Sequence, residues 1–470
     1  MTVVTRFPPS PTGYLHLGTA RTALYNWLFA RGRHGRMVFR LEDTDRERST
    51  QAAVDAILES MTWLGIDYDE GPYYQTQRFD RYREAVGDLL AADRDYPCYC
   101  SRERLDALRE AQMAAKEKPR YDGLCRDNPA ANNGAPPVIR FRTPLSGTVV
   151  VDDHVRGAVT FQNSELDDLI IARSDGTPTY HLTVVVDDID MDVTHVIRGD
   201  DHLNNTPRQI HILEALGASR PVYAHIPMIN GPDGKKLSKR HGAVSVLEYR
   251  DAGILPQALL NYLARLGWSY GDQEIFTLEE LTLAFDIEHV NKSAAAFDPE
   301  KLAWVNQQFI QNMALDRLVA QAEPYFRAAG LVTADRAHLA QVVDAQRTRA
   351  KTLIEMAEKS RPFFGPLAGF EDEAARKNLV PAAAPPLATL RDQLAALSTW
   401  EPAALHAAVE AAAAAHGLKL GKVAQPLRVA VTGTSASPSI DVTLALVGRE
   451  ECLRRLDMAL DYIAQRPDAA

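Results

Sequence analysis

The stretch Phe7-Pro8-Pro9-Ser10-Pro11-Thr12-Gly13-Tyr14-Leu15-His16-Leu17-Gly18-Thr19-Ala20 constrains the fold more than any other part of the chain. A short β-prone run, Val3-Val4-Thr5-Arg6-Phe7, leads into it, and Ala20, Ala23, Leu24, Trp27 and Leu28 then recur at helical spacing. This pattern predicts a strand, a glycine turn and an amphipathic helix. A helix N-terminus carries unpaired N–H groups and the positive end of the helix dipole, so it stabilises phosphates. Gly18 would let backbone approach a ligand closely, and His16 would add a hydrogen-bond donor at the same place. Taken alone, His-x-Gly fits an ordinary histidine in a strand-to-helix loop better than a ligand site. A second motif, far along the chain, reverses that balance.

Size and charge set the bounds. A chain of 470 residues with 46% apolar content can bury several cores, which suggests two to four domains. No run approaches the ~18 uninterrupted apolar residues of a membrane span, and Met1-Thr2-Val3-Val4-Thr5-Arg6 lacks the pattern of a secretory signal. A cytoplasmic protein is therefore expected. The net charge of -10 argues against a globally basic nucleic-acid binder but leaves room for a local basic surface. Of four cysteines, Cys98, Cys100 and Cys125 fall in one short segment, which points to metal before disulfides.

Val38-Phe39-Arg40-Leu41-Glu42-Asp43-Thr44-Asp45 predicts a strand ending in carboxylates, at the sheet edge where α/β proteins bind ligands. Helical patterns follow over Thr50–Leu64 and Arg78–Asp93. A block with hairpin signals over roughly 138–175 then looks like an insertion. The α/β pattern resumes over Thr179–Asp188 and His195–His202, with a helix from Thr206 and a strand over Val222–Ile229. The second motif lies just beyond. Asn230-Gly231-Pro232-Asp233-Gly234-Lys235-Lys236-Leu237-Ser238-Lys239-Arg240 describes a glycine-rich cationic loop. After Val246 nearly every stretch is helical in pattern, including one long run, Arg336–Pro362. The Pro/Ala segment Val380–Pro386 suggests a boundary within that region.

His16-Leu17-Gly18-Thr19 together with Lys236-Leu237-Ser238-Lys239-Arg240 resembles the paired HIGH and KMSKS signatures of class I aminoacyl-tRNA synthetases. Arg40–Asp45, Pro178-Thr179-Tyr180, Val185-Val186-Asp187-Asp188, Gly242–Ser245 and Leu263–Trp268 are similar to the bacterial glutamyl-tRNA synthetases in particular. The resemblance implies an α/β Rossmann-like catalytic domain with an α+β insertion, followed by an all-α anticodon-binding region. On that pattern the chain divides into 1–95 and 179–245 (catalytic halves), 96–178 (acceptor-stem insertion), 246–312 (stem contact), and 313–378 and 379–470 (anticodon subdomains). It implies ATP-dependent ligation of L-glutamate to tRNA(Glu), with ATP entering as its Mg2+ complex, by a monomer whose activation step waits for tRNA.

The site residues carry over one by one. His16, Gly18, Thr19, Lys236, Leu237, Ser238, Lys239 and Arg240 would hold ATP, with His16, Lys236 and Lys239 catalytic. Attack of a carboxylate on the α-phosphate builds charge on phosphoryl oxygens, which preorganised cations stabilise. Arg6, Ser10, Glu42, Tyr180 and Arg198 would form the glutamate pocket: two cations for two carboxylates and one anion for the ammonium. Which arginine takes the side-chain carboxylate is left open. Pro8, Val184 and Asp200 depart from residues usual in the family.

Some family members bind zinc through Cys-x-Cys and Cys-x-His. Here Cys98, Cys100 and Cys125 are followed by Asp127 in place of histidine, with Tyr121 a less usual alternative fourth ligand. A decayed site with small buried cysteines is the competing reading. Arg349, on a basic helical run from Arg347 to Leu353, resembles the residue that tests the last anticodon base. A small-molecule nucleotidyltransferase shares a His-x-Gly turn but does not need the long helical half. A silent RNA-binding paralogue should have lost His16, Glu42 or Lys239, all of which are present.

Overall fold

The computed structural model describes residues 2–128, 132, 134–235, 237, 245–332 and 334–466. The chain divides into two compact units, Met1–Glu248 with Leu259–Pro299, and Tyr249–Ala258 with Glu300–Ala470.

The first unit opens with β1 (Val4–Phe7), α1 (Leu17–Gly32), β2 (Arg36–Leu41), α2 (Gln51–Leu64) and β3 (Glu70–Tyr74). The three strands form a parallel sheet in the order β1-β2-β3. Every residue of β1 is buried, as expected of a parallel strand covered on both faces. β3 escapes the sequence pattern because Gly71 and Pro72 interrupt it, and proline is tolerated where a strand is the last in its sheet. Next come α3 (Phe79–Ala91), β4 (Asp95–Cys98), α4 (Arg102–Ala114), β5 (Val138–Phe141), β6 (Thr148–Asp153), β7 (Gly157–Gln162) and β8 (Ile170–Ala172). α5 (Tyr180–Asp190), β9 (His195–Gly199), α6 (Thr206–Ala215) and β10 (Val222–Ile226) complete the α/β part.

Only β4, β5 and β8 make a separate antiparallel sheet. β6 and β7, which the hairpin pattern assigns to the insertion, instead extend a second sheet in the order β7-β6-β10-β9. The reason lies in side-chain alternation. Val149, Val151 and Asp153 are buried while their neighbours are exposed, and the two valines share a core with Val4, Val38, Val196 and Tyr223. The parallel sheet β1-β2-β3 and the mixed sheet β7-β6-β10-β9 meet where Thr194 donates its N–H to the Val4 carbonyl (3.0 Å) and Val4 donates to Thr194 Oγ1 (2.8 Å).

β11 (Ile229–Asn230) pairs in parallel with β12 (Ala295–Ala296). The helices α7 (Val246–Asp251), α8 (Pro256–Arg265), α9 (Leu278–Ala284) and α10 (Pro299–Asn312) precede an all-helical series: α11 (Leu315–Ala328), α12 (Arg336–Gln346), α13 (Leu353–Ser360), α14 (Asp372–Asn378), α15 (Ala384–Ala396), α16 (Pro402–Ala415), α17 (Leu420–Thr432), α18 (Ile440–Val447) and α19 (Arg449–Ala464). In the second unit the buried Asn306 side chain accepts from Leu255 N–H (2.8 Å) and donates to the Lys351 carbonyl (2.7 Å), so one amide ties three segments together.

Two expectations need correction here. The long helix over Arg336–Pro362 breaks after Gln346, because Thr352 caps a new helix by accepting from Glu355 N–H (3.1 Å) while Ala350 is buried in the turn. The Val380–Pro386 segment, expected to mark a boundary, is a tight turn entering α15 within one continuous core. Ala374, Ala375, Leu379, Ala383 and Leu387 lie in the same core as Leu405, Leu427 and Leu456.

Asp95 stands out in β4. Its residue is 2% exposed, and neither carboxylate oxygen has a hydrogen-bond partner among the described residues. Burial pushes its pKa up to about 7, with Arg142 opposing and Asp93 adding to the rise. The folded pKa then exceeds the unfolded value, so the native state binds more protons in the interval between them and stability falls as pH rises toward neutrality. Asp95→Asn is expected to raise the urea midpoint at pH 8 and to leave it little changed at pH 4; an equal change at both values would place the effect in packing.

Candidate active site

The site lies at the carboxyl ends of β1, β2 and β9, around a cavity of about 600 Å³ lined by Arg6, Ser10, His16, Gly18, Thr19, Glu42, Tyr180, Arg198 and Leu237, among others. Such a volume is in the ordinary range for small-molecule sites. His16 is the N-cap of α1, and its Nδ1 accepts from Thr19 N–H (3.3 Å). A Cβ on Gly18 would come within 3.2 Å of His16 Cε1, so this glycine gives the imidazole its room as well as opening the backbone. Arg21, one turn along, donates to the carbonyls of Leu266 (2.7 Å) and Pro227, and so ties α1 to the chain just after β10.

Lys236, Ser238, Lys239 and Arg240 lie outside the described residues. The flanks of their loop are described. Leu237 donates its N–H to the Ile229 carbonyl (3.1 Å) and lines the cavity. Ser245 forms a β-bridge with His16, and Val246 N–H donates to the Leu15 carbonyl (2.9 Å). Of the described residues flanking 238–244, Leu237 is thus held to β11, and Ser245 and Val246 are held beside the helix N-terminus.

Behind the cavity runs a buried charge network. Arg40, wholly buried, pairs with Asp188 (2.8 Å), Glu42 (3.3 Å) and Asp187 (3.5 Å). Asp188 also pairs with Arg6 (3.4 Å). Asp187 accepts from Gln75 Nε2 (2.9 Å), Arg78 Nε (2.8 Å) and the Tyr82 hydroxyl (2.9 Å). Burial raises the Glu42 pKa against the pull of Arg40 and Arg6. Burial works the same way on Asp188, but Arg6 and Arg40 outweigh it and hold that carboxyl below the usual range. Arg6 Nη1 is buried without a hydrogen-bond partner among the described residues, a donor that a bound anion would satisfy.

Tyr180 starts α5 and exchanges a hydrogen bond with His202 Nδ1 (3.0 Å). Burial, then Arg198, pushes His202 down to about 4, so the ring is neutral. Arg198 Nη2 donates to Thr206 Oγ1 (2.8 Å), and its Nε to His225 Nε2 (3.1 Å). Arg40, Asp187 and Asp188 are legible in the sequence only through the family resemblance, and His202 and His225 carry no functional motif there. The legible signal is the pair of consecutive aspartates closing an apolar run, an unusual load of charge for a buried helix.

Cys98, Cys100 and Cys125 come together, their sulfurs within 4.8 Å of one another. At Zn–S distances of about 2.3 Å, tetrahedral thiolates stand about 3.8 Å apart, so the cluster fits one ion. The Tyr121 hydroxyl sits among them, 3.4 Å from Cys98 Sγ and 3.6 Å from Cys100 Sγ, and accepts from Cys125 N–H (2.9 Å). Burial and the neighbouring sulfurs push Cys100 up to about 11. Asp127, expected as the fourth ligand, is not brought to this cluster. Its side chain is 80% exposed and pairs with Arg142 (3.0 Å), which the end of β5 places nearby.

In the second unit Arg349 is exposed and sits on the turn between α12 and α13, not on the basic helix its sequence suggests. It lies close enough to Arg428 to lower that group's pKa further after burial has done so. Two neighbouring guanidiniums make an anion-seeking surface.

Residues 2–304 match the family described as tRNA synthetases class I (E and Q), catalytic domain, and residues 317–460 match an anticodon binding domain. The chain belongs to this class I synthetase family. It is 60% identical to glutamate–tRNA ligase 1 of Alkalilimnicola ehrlichii over 462 residues, 98% of each chain. It is 57% identical to glutamate–tRNA ligase 1 of Nitrosococcus oceani over 469 residues, 100% of each. Among solved structures, a glutamate tRNA ligase from Elizabethkingia meningosepticum in complex with its amino acid superposes with a TM-score of 0.90 at 30% identity, covering 98% of this chain and 100% of that one.

Removing one member of the buried network leaves its partners charged and unpaired. Asp187→Ala is therefore expected to lower unfolding free energy by about 3–5 kcal/mol, measured by urea denaturation. A change within about 0.5 kcal/mol would mean that the network is not a structural support.

Proposed function

We infer that this chain is a glutamate–tRNA ligase: it activates L-glutamate with ATP and transfers the glutamyl group to the terminal adenosine of tRNA(Glu) in protein biosynthesis. The observation that carries the reading is the single cavity in which a helix N-terminus capped by His16 faces Arg6, Arg198 and Glu42. Two cations and one anion match an amino acid with two carboxylates and one ammonium. Adjacent N–H groups and His16 suit the phosphates of ATP. No helix among the described residues is long and apolar enough to cross a membrane. The work proposed is that of a cytoplasmic monomer.

In the first step a glutamate carboxylate oxygen attacks the α-phosphorus and pyrophosphate departs. His16 and the α1 N-terminus stabilise the phosphoryl oxygens on one side, while Lys236 and Lys239, with Ser238 and Arg240 beside them, close over the other from the cationic loop. Lys236 and Lys239 would accelerate activation to the extent that they engage more strongly as charge develops on the phosphoryl oxygens. Mg2+ accompanies ATP and supplies charge neutralisation. In the second step an adenosine hydroxyl attacks the activated carbonyl and AMP leaves. Glu42 holds the ammonium, Arg6 a carboxylate near the Asp188 end of the network, and Arg198 the side-chain carboxylate, since its own partners are uncharged. The small antiparallel sheet and its neighbours (96–178) and the segment 246–312 would contact the acceptor stem. Arg349 and the helices of 313–378 and 379–470 would read the anticodon.

Three thiolates, Cys98, Cys100 and Cys125, would hold one structural zinc ion, with the Tyr121 oxygen as the fourth donor in place of Asp127. Zinc there would tie the link between β4 and α4 to the segment that carries Cys125. Metal analysis is expected to give about one zinc per chain, lost in Cys125→Ser, weakened in Tyr121→Phe and retained in Asp127→Ala. Loss in Asp127→Ala with retention in Tyr121→Phe would restore the carboxylate as ligand, and no zinc in protein never exposed to chelator would remove the site.

Charging of purified glutamate and glutamine tRNAs with labelled glutamate tests the main reading, which no charging of glutamate tRNA would sink. His16→Ala is expected to slow tRNA-dependent pyrophosphate exchange by about two to three orders of magnitude, with tRNA affinity nearly unchanged.

A further inference from the structure

Asp153 and His225 are both completely buried, and neither has a part in the chemistry described above. They come from distant strands, β6 and β10, and meet because those strands pair in parallel, with Tyr223 beside Asp153. Asp153 accepts backbone N–H groups from Val155 (3.0 Å), Arg156 (2.7 Å) and His225 (3.0 Å), which hold it as a carboxylate. Its Oδ2 lies 2.6 Å from His225 Nδ1. A carboxylate accepts only, so Nδ1 carries the proton and Nε2 is left as the acceptor. That atom faces Arg198 Nε at 3.1 Å and Thr206 Oγ1 at 3.0 Å.

We propose that Asp153 and His225 form a positioning relay that fixes the Arg198 guanidinium in the amino-acid pocket and so sets the preference for a carboxylate over an amide on the substrate side chain. The relay rests on the reading of Arg198 as the group that takes the side-chain carboxylate. Its physics is specific. With Nε held by His225 and one Nη by Thr206, the plane of the guanidinium is defined, and the remaining Nη hydrogens are left for a ligand that lines up with them. Those groups are donors only, which an amide NH2 cannot satisfy and a carboxylate can. The supporting ring is neutral: burial lowers the His225 pKa, and Arg198 and Arg6 act in the same sense against Asp153. A neutral acceptor behind Arg198 leaves the full positive charge facing the cavity. A fixed carboxylate directly against Arg198 would have offset that charge. Interposing an imidazole keeps Asp153 one ring away, so the guanidinium is oriented without being neutralised.

Steady-state charging of tRNA by the full-length enzyme tests this with His225→Ala, His225→Gln, Asp153→Asn and Arg198→Lys. In His225→Ala the glutamate KM is expected to rise about tenfold to a hundredfold, while the ATP KM stays within about twofold and the ratio of glutamate to glutamine activation falls. In His225→Gln a side-chain oxygen can again accept from Arg198 Nε, so KM should return most of the way. In Asp153→Asn the amide NH2 can turn the imidazole to its other tautomer, setting donor against donor at Arg198, and KM should rise although every strand keeps its fold by circular dichroism. Equal loss of kcat, ATP KM and thermal stability in His225→Ala and His225→Gln alike would reduce the pair to a structural support and overturn the relay. An increased KM with an unchanged glutamate-to-glutamine ratio would overturn the specificity claim. If Arg198→Lys leaves the glutamate KM unchanged, the assignment of Arg198 itself fails; if Arg198→Lys raises it and His225→Ala does not, only the relay fails.

Discussion

The arrangement of the first unit depends on one fully buried cation, Arg40. A guanidinium removed from water is costly unless several acceptors surround it, and Arg40 has three carboxylates within ion-pair distance, Glu42, Asp187 and Asp188. Those acceptors come from the residue that follows β2 and from α5, which lie far apart in sequence. The network therefore acts as a lock on register: slide α5 by one residue and Arg40 loses both aspartates, keeping only Glu42. Because Asp188 also holds Arg6, and Glu42 faces the cavity, the same lock orients two of the groups that line it.

The strand ends converge on the cavity from three directions. β1 delivers Arg6, β2 delivers Glu42 and β9 delivers Arg198, each at the carboxyl edge of a parallel strand. That edge is where an α/β sheet leaves space for a ligand, and where a following helix turns its N-terminus toward it. α1 supplies the N-terminus, and its tether through Arg21 and through the Val246–Leu15 hydrogen bond fixes it against the segments that bracket the cationic loop. Charge on the protein is thus laid down before substrate arrives, which is what makes electrostatic stabilisation effective at the transition state.

The cysteine segment shows a different principle. Its spacing is readable, but the spacing does not say which oxygen completes the set. Asp127 is next but one to Cys125, yet it is drawn out to Arg142, while Tyr121 reaches inward and lies under the Arg140 guanidinium, 3.9 Å from the ring centroid. The Asp127–Arg142 ion pair competes for that carboxylate at the surface, and such a pair depends on a strand that sequence places only approximately.

The sequence alone determined the family and the strand–turn–helix at His16, and it singled out residues that come together at one cavity, because these are carried by local spacing and by residue types with narrow chemistry. Arg6, Ser10, Glu42, Tyr180 and Arg198 do line one cavity. The tertiary structure decided what local pattern cannot encode. Val184-Val185-Val186 favours a strand by composition, yet it is buried inside α5 because Asp187 and Asp188 must meet Arg40. Val149 and Val151 join the sheet that carries Arg198, not the insertion, since only the fold brings β6 to β10. Arg349 left its expected helix because a cap at Thr352 outweighs helical periodicity. His225 and Asp153 carry no motif at all, and their relation to Arg198 exists only once two strands from different parts of the chain lie side by side.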